Sequence, residues 1–427
     1  MSLYLVVGVA PLVLALVGPH PPGRGFWVDA AFGFGRVGLV MLGLQFLSVA
    51  RIARVDAPYG IDAVMRYHRQ VAYVALAFLV AHPLLLLTRP EFRSLINPLD
   101  APARVLWGEA ALVMLLVTVA LARWRLRLHL NYELWHVTHG ILAVVVTGAA
   151  LVHTRLVGAY MARGTWKSLA WTIWIVVFMA LLAYIRVFKP MWRLRRPWLI
   201  DEVVPRPGGA VSLELRPERH RGMRFRAGQF AWITIKGVPF SFTEHPFSLS
   251  SSSARRDHVE FTIKPLGDFT SQLSGVAGRR AWLEGPFGNF GIGWDSAEHL
   301  VLIAGGIGIT PMMSILRTMA DVGDTRPTTL VYGNKTWETT VFADELDALR
   351  DRLDLRVVHV VEQPPPDWDG PTGFITPQLR EASLPAAKAG VQCYVCGPPP
   401  MMAATERALI AAGVPPRQIH AELFTFA

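Results

Sequence analysis

Two stretches decide how this chain is to be read: His68-Arg69-Gln70-Val71-Ala72-Tyr73-Val74-Ala75-Leu76-Ala77-Phe78-Leu79-Val80-Ala81-His82 and His139-Gly140-Ile141-Leu142-Ala143-Val144-Val145-Val146-Thr147-Gly148-Ala149-Ala150-Leu151-Val152-His153. Each begins and ends on histidine, and what lies between is almost wholly apolar or small. On an α-helix fourteen residues turn about 1400°, roughly 40° short of four full turns, and rise about 21 Å. Both imidazoles of a stretch therefore share one helix face, separated by most of the ~30 Å hydrocarbon core of a bilayer.

Further apolar runs surround these two. They fall near 3–18, 32–50, 63–87, 105–122, 134–153 and 168–188, and most reach the ~17–25 residues a membrane-crossing helix needs. The first run is short, but it lacks a basic leader and a small-residue cleavage site, so it is read as a true span rather than a signal peptide. Of the 427 residues, 52% are hydrophobic and 17% charged, against roughly 25% charged in an ordinary soluble chain. A disordered chain is excluded. The net charge of +10 lies entirely in residues 1–190, since residues 191–427 carry 25 basic and 25 acidic side chains. A basic excess confined to the apolar half marks membrane-flanking charge and excludes a nucleic-acid binder. The Arg and Lys between runs, among them Arg51, Arg54, Arg123, Arg125, Arg127, Arg186, Lys189 and Arg193, favour a cytoplasmic C-terminal half. Plasma membrane, with the soluble domains in the cytoplasm, is the expected location.

An ionisable residue inside a bilayer is costly enough to be a functional candidate by default. Seven histidines precede residue 190, and chance pairs at spacing fourteen among them number roughly 0.2. If the third and fifth runs face each other, the four imidazoles form two stacked pairs. His68 and His139 make the inner one, His82 and His153 the outer. Two opposed imidazoles suit the axial positions of a haem, whereas zinc needs its ligands clustered, which a 21 Å rise forbids. Packing histidines satisfied by neighbouring helices are the plain alternative. His136 and His129 lack a partner at this spacing and are read as packing or propionate contacts. Arg155 is assigned equally to an outer propionate or anionic substrate and to an ordinary interfacial position.

From about Trp198 the pattern changes to short alternating runs, Phe230–Ile235 and Val259–Ile263, read as antiparallel strands. After about residue 298, His299–Ala304, Leu330–Tyr332, Arg356–Val361 and Gln392–Val395 alternate with helical stretches, as in a parallel α/β sheet. His245-Pro246-Phe247-Ser248-Leu249-Ser250-Ser251 suits a flavin: the aromatic ring packs on its edge and Ser248 can reach the N5 region. Lys264 and Gly267-Asp268-Phe269-Thr270 are candidates to cradle a pyrophosphate. Gly305-Gly306-Ile307-Gly308-Ile309-Thr310-Pro311, between a strand and a helix, offers close backbone approach and a helix start to phosphate. Asn334 and Lys335 end the next strand without an acidic residue, and Lys335 offers a cation to a 2′-phosphate, so NADPH is preferred over NADH. The two cysteines, Cys393 and Cys396, cannot build a disulfide framework or a four-cysteine metal site.

Taken together, the chain resembles the NADPH oxidase and ferric reductase-like transmembrane family of bacteria. The paired histidines match that family's haem ligands. Residues 245–251 resemble its flavin motif, and Glu284-Gly285-Pro286-Phe287-Gly288 resembles the element closing its flavin barrel. Gly305–Pro311 and Val395-Cys396-Gly397-Pro398-Pro399 resemble its two NADPH motifs, which implies that Cys396 lies near the nicotinamide. Glu422-Leu423-Phe424-Thr425-Phe426 resembles an acidic–aromatic tail, implying that Phe424 or Phe426 covers the flavin.

The expected architecture is a multidomain membrane protein. A six-helix transmembrane di-haem bundle occupies 1–190, an antiparallel β-barrel FAD domain 191–296, and an α/β parallel-sheet NADPH domain 297–427. The resemblance implies electron flow from NADPH through FAD and two b-type haems to an outer acceptor, most readily O2 giving superoxide. Nothing in the chain resembles the calcium-binding loops or activator-docking tails of regulated animal relatives, so activity without a protein activator is expected. A ferric-chelate or quinone reductase using the same cofactors is the first alternative. A haem-free membrane-anchored flavoprotein and a non-enzymatic NADPH-binding sensor are the others.

Overall fold

The computed structural model describes residues 23–52, 61–93, 97–158, 166–235, 237–240, 243–291, 297–375 and 390–421, together with single residues of the first apolar run. That run and the tail Glu422–Phe426 lie outside the described residues. Two compact units are present, one of residues 1–56 with 63–190, the other of residues 57–62 with 191–427.

In the first unit five helices are long and apolar enough to span a bilayer. They are α1 (Phe26–Val49), α2 (Ile61–Leu86), α3 (Ala103–Trp124), α4 (Tyr132–Val157) and α5 (Trp166–Ala183). The expectation of six spans is thus met by five among the described residues. Helix α4 starts where the Asn131 side chain accepts from the Leu134 amide, and it ends on Gly158 in the left-handed conformation, a capped start and a glycine stop. Helix α5 runs on through a π-helical turn, Tyr184–Phe188, into Lys189–Leu194. There the Lys189 ammonium donates to the carbonyls of Ala50 and Arg51 at the end of α1.

Helix α1 is the buried centre. Its Leu39, Val40 and Leu44 pack with Leu151 of α4 and Trp171 of α5, and its Val37 and Met41 pack with Val71 and Ala75 of α2. Large apolar side chains stay exposed on the outer helices, Val113 and Val117 on α3, Ile141 and Val145 on α4, Ile173 and Val177 on α5. So much exposed apolar surface is unstable in water and suits lipid.

The second unit opens with a six-stranded antiparallel sheet in the order β4-β3-β6-β1-β2-β5. Its strands are β1 (Trp198–Pro205), β2 (Val211–Pro217), β3 (Phe230–Thr234), β4 (His245–Ser248), β5 (Val259–Ile263) and β6 (Arg280–Phe287). The barrel expected here is not closed. β4 and β5 remain edges, joined only by the isolated bridge Leu249–Phe261. One feature accounts for this: β4 is only four residues long and is paired with β3, which leaves little strand to meet β5.

The remainder is a five-stranded parallel sheet in the order β11-β10-β7-β8-β9. It comprises β7 (His299–Gly305), β8 (Thr328–Asn334), β9 (Leu355–Val361), β10 (Val391–Cys396) and β11 (Ile419–Ala421). Helices α6 (Ile309–Val322), α7 (Ala343–Arg350) and α8 (Pro399–Ala411) accompany it. Two apolar cores, one on each face, bury the sheet, as its nearly unbroken apolar strands require.

Candidate functional site

His68 and His82 lie on α2 and His139 and His153 on α4, and the fold brings the two helices together in register. The ring centroids of His68 and His139 are 6.4 Å apart, and those of His82 and His153 are 6.3 Å apart. Two imidazoles on opposite sides of one metal, each with a metal–nitrogen bond of about 2.0–2.1 Å, hold their centroids roughly 6 Å apart. Among the described residues no three His, Cys, Asp or Glu gather as a metal group, so each pair offers two ligands. A planar macrocycle that supplies the other four fits that donor set.

The outer pair is held by backbone. His82 Nδ1 lies 2.7 Å from the Ala31 carbonyl of α1, and His153 Nδ1 meets the Arg104 carbonyl of α3. A carbonyl only accepts, so Nδ1 carries the proton, and the neutral ring presents Nε2 as a lone pair to a metal. In the inner pair, the Ser48 hydroxyl donates to the Gln45 carbonyl and stands 3.1 Å from His68 Nδ1. His139 Nδ1 has no hydrogen-bond partner among the described residues. Trp135 lies against its ring, at 5.4 Å between centroids.

A cavity of about 330 Å³ lies at the outer pair, lined by His82, His153 and apolar side chains of α1 to α4. Its volume falls at the lower end of the range for small-molecule and cofactor sites. Its charged lining residues are Arg36 of α1 and Glu109 of α3, both missed in the sequence. Arg155 is not in the lining, and its guanidinium donates to the Thr172 hydroxyl of α5 at 3.1 Å. Isolated charges within apolar runs were the available signal for Arg36 and Glu109.

In the second unit the two flavin-directed motifs meet. His245 and Phe247 alternate along edge strand β4, and Phe269 of the Gly267–Thr270 turn stacks on His245 at 3.8 Å and lies parallel to Phe247 at 6.3 Å. Burial pushes the His245 imidazole down to about 4, with Glu244 opposing it, so the ring is neutral at physiological pH. Pro246 pairs with Trp232, and Ser248 with Phe230, in the β3–β4 ladder. Thr270 closes its own turn, accepting from the amides of Leu266 and Gly267, while Lys264 and Asp268 are exposed. Leu249 and Ser250 are fully buried, and the Ser250 hydroxyl donates to Glu260 and lies 3.1 Å from that of Thr262.

Arg193, by its position after the last apolar run a membrane-flanking charge, has a different place in the fold. Arg193 is buried, its Nη1 paired with Glu244, next to the flavin motif, and with Glu284, which opens the Gly-Pro-Phe element, the latter at 3.1 Å. Its Nη2 reaches the Thr234 hydroxyl at 3.3 Å. One guanidinium thus ties β3, β6 and the lead-in to β4 together.

At the nucleotide motifs, Gly305–Gly308 follows β7 and leads into α6, with Thr310 and Pro311 in its first turn. A Cβ on Gly308 would stand 2.3 Å from the Cys396 carbonyl, and one on Gly305 would stand 2.5 Å from Met401 Sδ and 3.0 Å from Pro398. These glycines let the loop lie against Cys396-Gly397-Pro398 at the end of β10. Gly306 has φ +54° and open space at its Cβ position. Asn334 is buried at the end of β8, with Lys335 exposed beside it. Cys393 and Cys396 fall in the cores on opposite faces of the parallel sheet.

Comparison with known proteins agrees with this layout. Residues 34–150 match the ferric reductase like transmembrane component, 203–291 an FAD-binding domain, and 302–407 the oxidoreductase NAD-binding domain. Among curated relatives, the propane 2-monooxygenase reductase component of Rhodococcus jostii is 33% identical over 240 residues, covering 53% of this chain and 62% of that protein. NADH-cytochrome b5 reductase 1 of Candida glabrata is 33% identical over 192 residues, covering 43% of this chain and 67% of its own length. A ferredoxin reductase of carbazole 1,9a-dioxygenase is 29% identical with a TM-score of 0.47, over 54% of this chain and 69% of that one. The chain thus spans about six-tenths of the first of these curated relatives. The family matches give the chain an FAD-binding domain and an oxidoreductase NAD-binding domain beside a ferric reductase like transmembrane component. The chain thus joins a transmembrane domain similar to the ferric reductase component to the domain pairing of a ferredoxin–NADP reductase-type module.

Proposed function

We propose that this oxidoreductase carries electrons from cytoplasmic NADPH across the plasma membrane to an acceptor on the outer face, with O2 reduced to superoxide. The observation that carries the reading is the pairing of four intramembrane histidines at nearly equal centroid distances, 6.4 and 6.3 Å. Bound FAD would supply hydride acceptance and one-electron release, and haems held by the two histidine pairs would supply one-electron relay.

The rest is the work of this chain's own side chains. His68 and His139 hold the inner group and His82 and His153 the outer one, and the carbonyls of Ala31 and Arg104 keep Nε2 of the outer rings unprotonated for ligation. Each site supplies two imidazoles, which would occupy a bound haem from the protein side and leave the acceptor to take its electron without ligating the iron. β4 and the Gly267–Thr270 turn bind the flavin, Gly305–Pro311 binds the nucleotide pyrophosphate, and Lys335 pairs with a 2′-phosphate. Cys396 borders the nicotinamide, and no protein activator is required. The match of residues 34–150 to the ferric reductase component favours a second reading, a ferric-chelate reductase with the same relay.

The test is an anaerobic absorbance spectrum of detergent-purified protein with FAD, before and after NADPH. About two haems per chain, reduced by NADPH, are expected. Flavin bleaching without a haem band would overturn the relay and leave a membrane-anchored flavoprotein. Admitting oxygen with and without superoxide dismutase, or a ferric chelate, then separates the two acceptors.

A further inference from the structure

The outer histidines are seated in two copies of one backbone arrangement. On α1 the Ala31 carbonyl receives His82 Nδ1, and four residues on, Gly35 lies against the same ring. On α3 the Arg104 carbonyl receives His153 Nδ1, and four residues on, Gly108 lies against that ring. A Cβ on Gly35 would stand 3.0 Å from His82 Nδ1 and 3.1 Å from its Cγ. A Cβ on Gly108 would stand 2.7 Å from His153 Nδ1 and 2.8 Å from its Cε1. The spacing of four has a physical cause. In an α-helix the carbonyl of residue i points along the axis toward residue i+4, so a side chain there shields it from a visitor. Glycine removes the shield, and the imidazole reaches a carbonyl already engaged within the helix.

Resting on the haem reading above, we infer that Gly35 and Gly108 are positioning residues for the outer site. They let backbone carbonyls of α1 and α3 fix the tautomer and tilt of His82 and His153. The inner pair has no such seat: His68 meets the Ser48 hydroxyl instead, and His139 Nδ1 has no partner among the described residues. A methyl group at either glycine therefore disturbs the outer site and spares the inner one. Swinging a ring away gives up its hydrogen bond to the carbonyl inside a largely apolar cavity lining.

The experiment compares haem content, low-temperature electron paramagnetic resonance and the potentiometric titration of wild type, Gly108→Ala, Gly35→Ala and Gly148→Ala. Gly148, on α4, has nothing within 4 Å of its Cβ position, so Gly148→Ala controls for altering a membrane-helix glycine. Wild type and the control are expected to hold about two haems. Gly108→Ala is expected to fall toward one haem per chain, or to keep two with one of the two low-spin signals and its potential displaced. Gly35→Ala does the same more weakly, and it decides the matter should Gly108→Ala fail to accumulate. Two unshifted haems in both variants would overturn the inference, as would equal loss from both sites. A wild type without haem would instead defeat the relay itself.

Discussion

Replacing Arg317 by Met is expected to loosen the junction between the flavin-directed and nucleotide-directed halves of the second unit. Arg317 lies on α6. Its Nε and Nη2 donate to the two carboxylate oxygens of Glu345 at 2.5 and 2.7 Å, and its Nη1 donates to the Ser250 carbonyl and to Glu260, both at 2.9 Å. Its side chain is 16% exposed, against 6% for Glu260 and 32% for Glu345. Removing one member of a buried ion pair costs about 3–5 kcal/mol, because the other charge stays buried without compensation. Here Ser250 and Thr262 still donate to Glu260, and Glu345 can turn to water, so the loss is about 2–4 kcal/mol. For a body of this size that lowers a thermal midpoint by roughly 5–15 °C, read as flavin release on heating the full-length protein in detergent. Acidification adds a second check. Burial opposes ionisation of Glu260, but Arg317 and Ser250 outweigh it and hold the carboxyl below its ordinary range. The stability it contributes is complete above the unfolded value of about 4.3 and is lost as pH falls through the folded one. Without Arg317 only Arg206 and Ser250 oppose burial, so the folded value rises and acid costs the variant less than the wild type. The gap between wild type and variant should therefore narrow below about pH 5, and Glu260→Gln added to Arg317→Met should restore part of the midpoint. A midpoint shift under about 2 °C at pH 7, or a gap that widens in acid, would refute the reasoning.

Other consequences can be measured on the same preparation. His82→Ala and His68→Ala should each remove about one haem per chain, and a His68→Ala protein that keeps one should no longer reduce it with NADPH, since the inner step is missing. Lys335→Ala should raise KM for NADPH about tenfold or more, the loss of a charge-assisted hydrogen bond worth about 1.5–3 kcal/mol, while leaving KM for NADH within a factor of two. Gly306→Ala forces a side chain to φ +54°, a strain of about 1–2 kcal/mol, and should weaken both nucleotides alike in a fluorescence titration. Burial holds His245 near 4, so FAD affinity should show no inflection near pH 6.5. The unfolded chain binds the extra proton between about pH 4 and 6.5, so the His245 contribution to stability should rise with pH across that window.

What could be read in the sequence follows from which periods are fixed by geometry. The 3.6-residue helix turn made His68/His82 and His139/His153 legible as facing pairs before any packing was known. The two-residue strand period located β5 at Val259–Ile263 and β3 within a residue. The supports of those sites were not legible, because they are backbone atoms of helices distant in the chain. The carbonyls of Ala31 and Arg104 carry no residue signature, and Gly35 and Gly108 resemble any glycine in an apolar run until α1 and α3 are docked. Arg193 shows the same limit from the other side. By count it is one more cation after the last span, yet the fold buries it against Glu244 and Glu284, so its charge organises the flavin strands rather than marking a membrane face. Barrel closure failed as an expectation for a related reason. Strand identity is local, whereas closure depends on the two edge strands β4 and β5 pairing with each other, and there the contact is the isolated bridge Leu249–Phe261. Ligand residues therefore announce themselves by type and spacing, and the groups that aim them become visible only when two helices or strands are placed side by side.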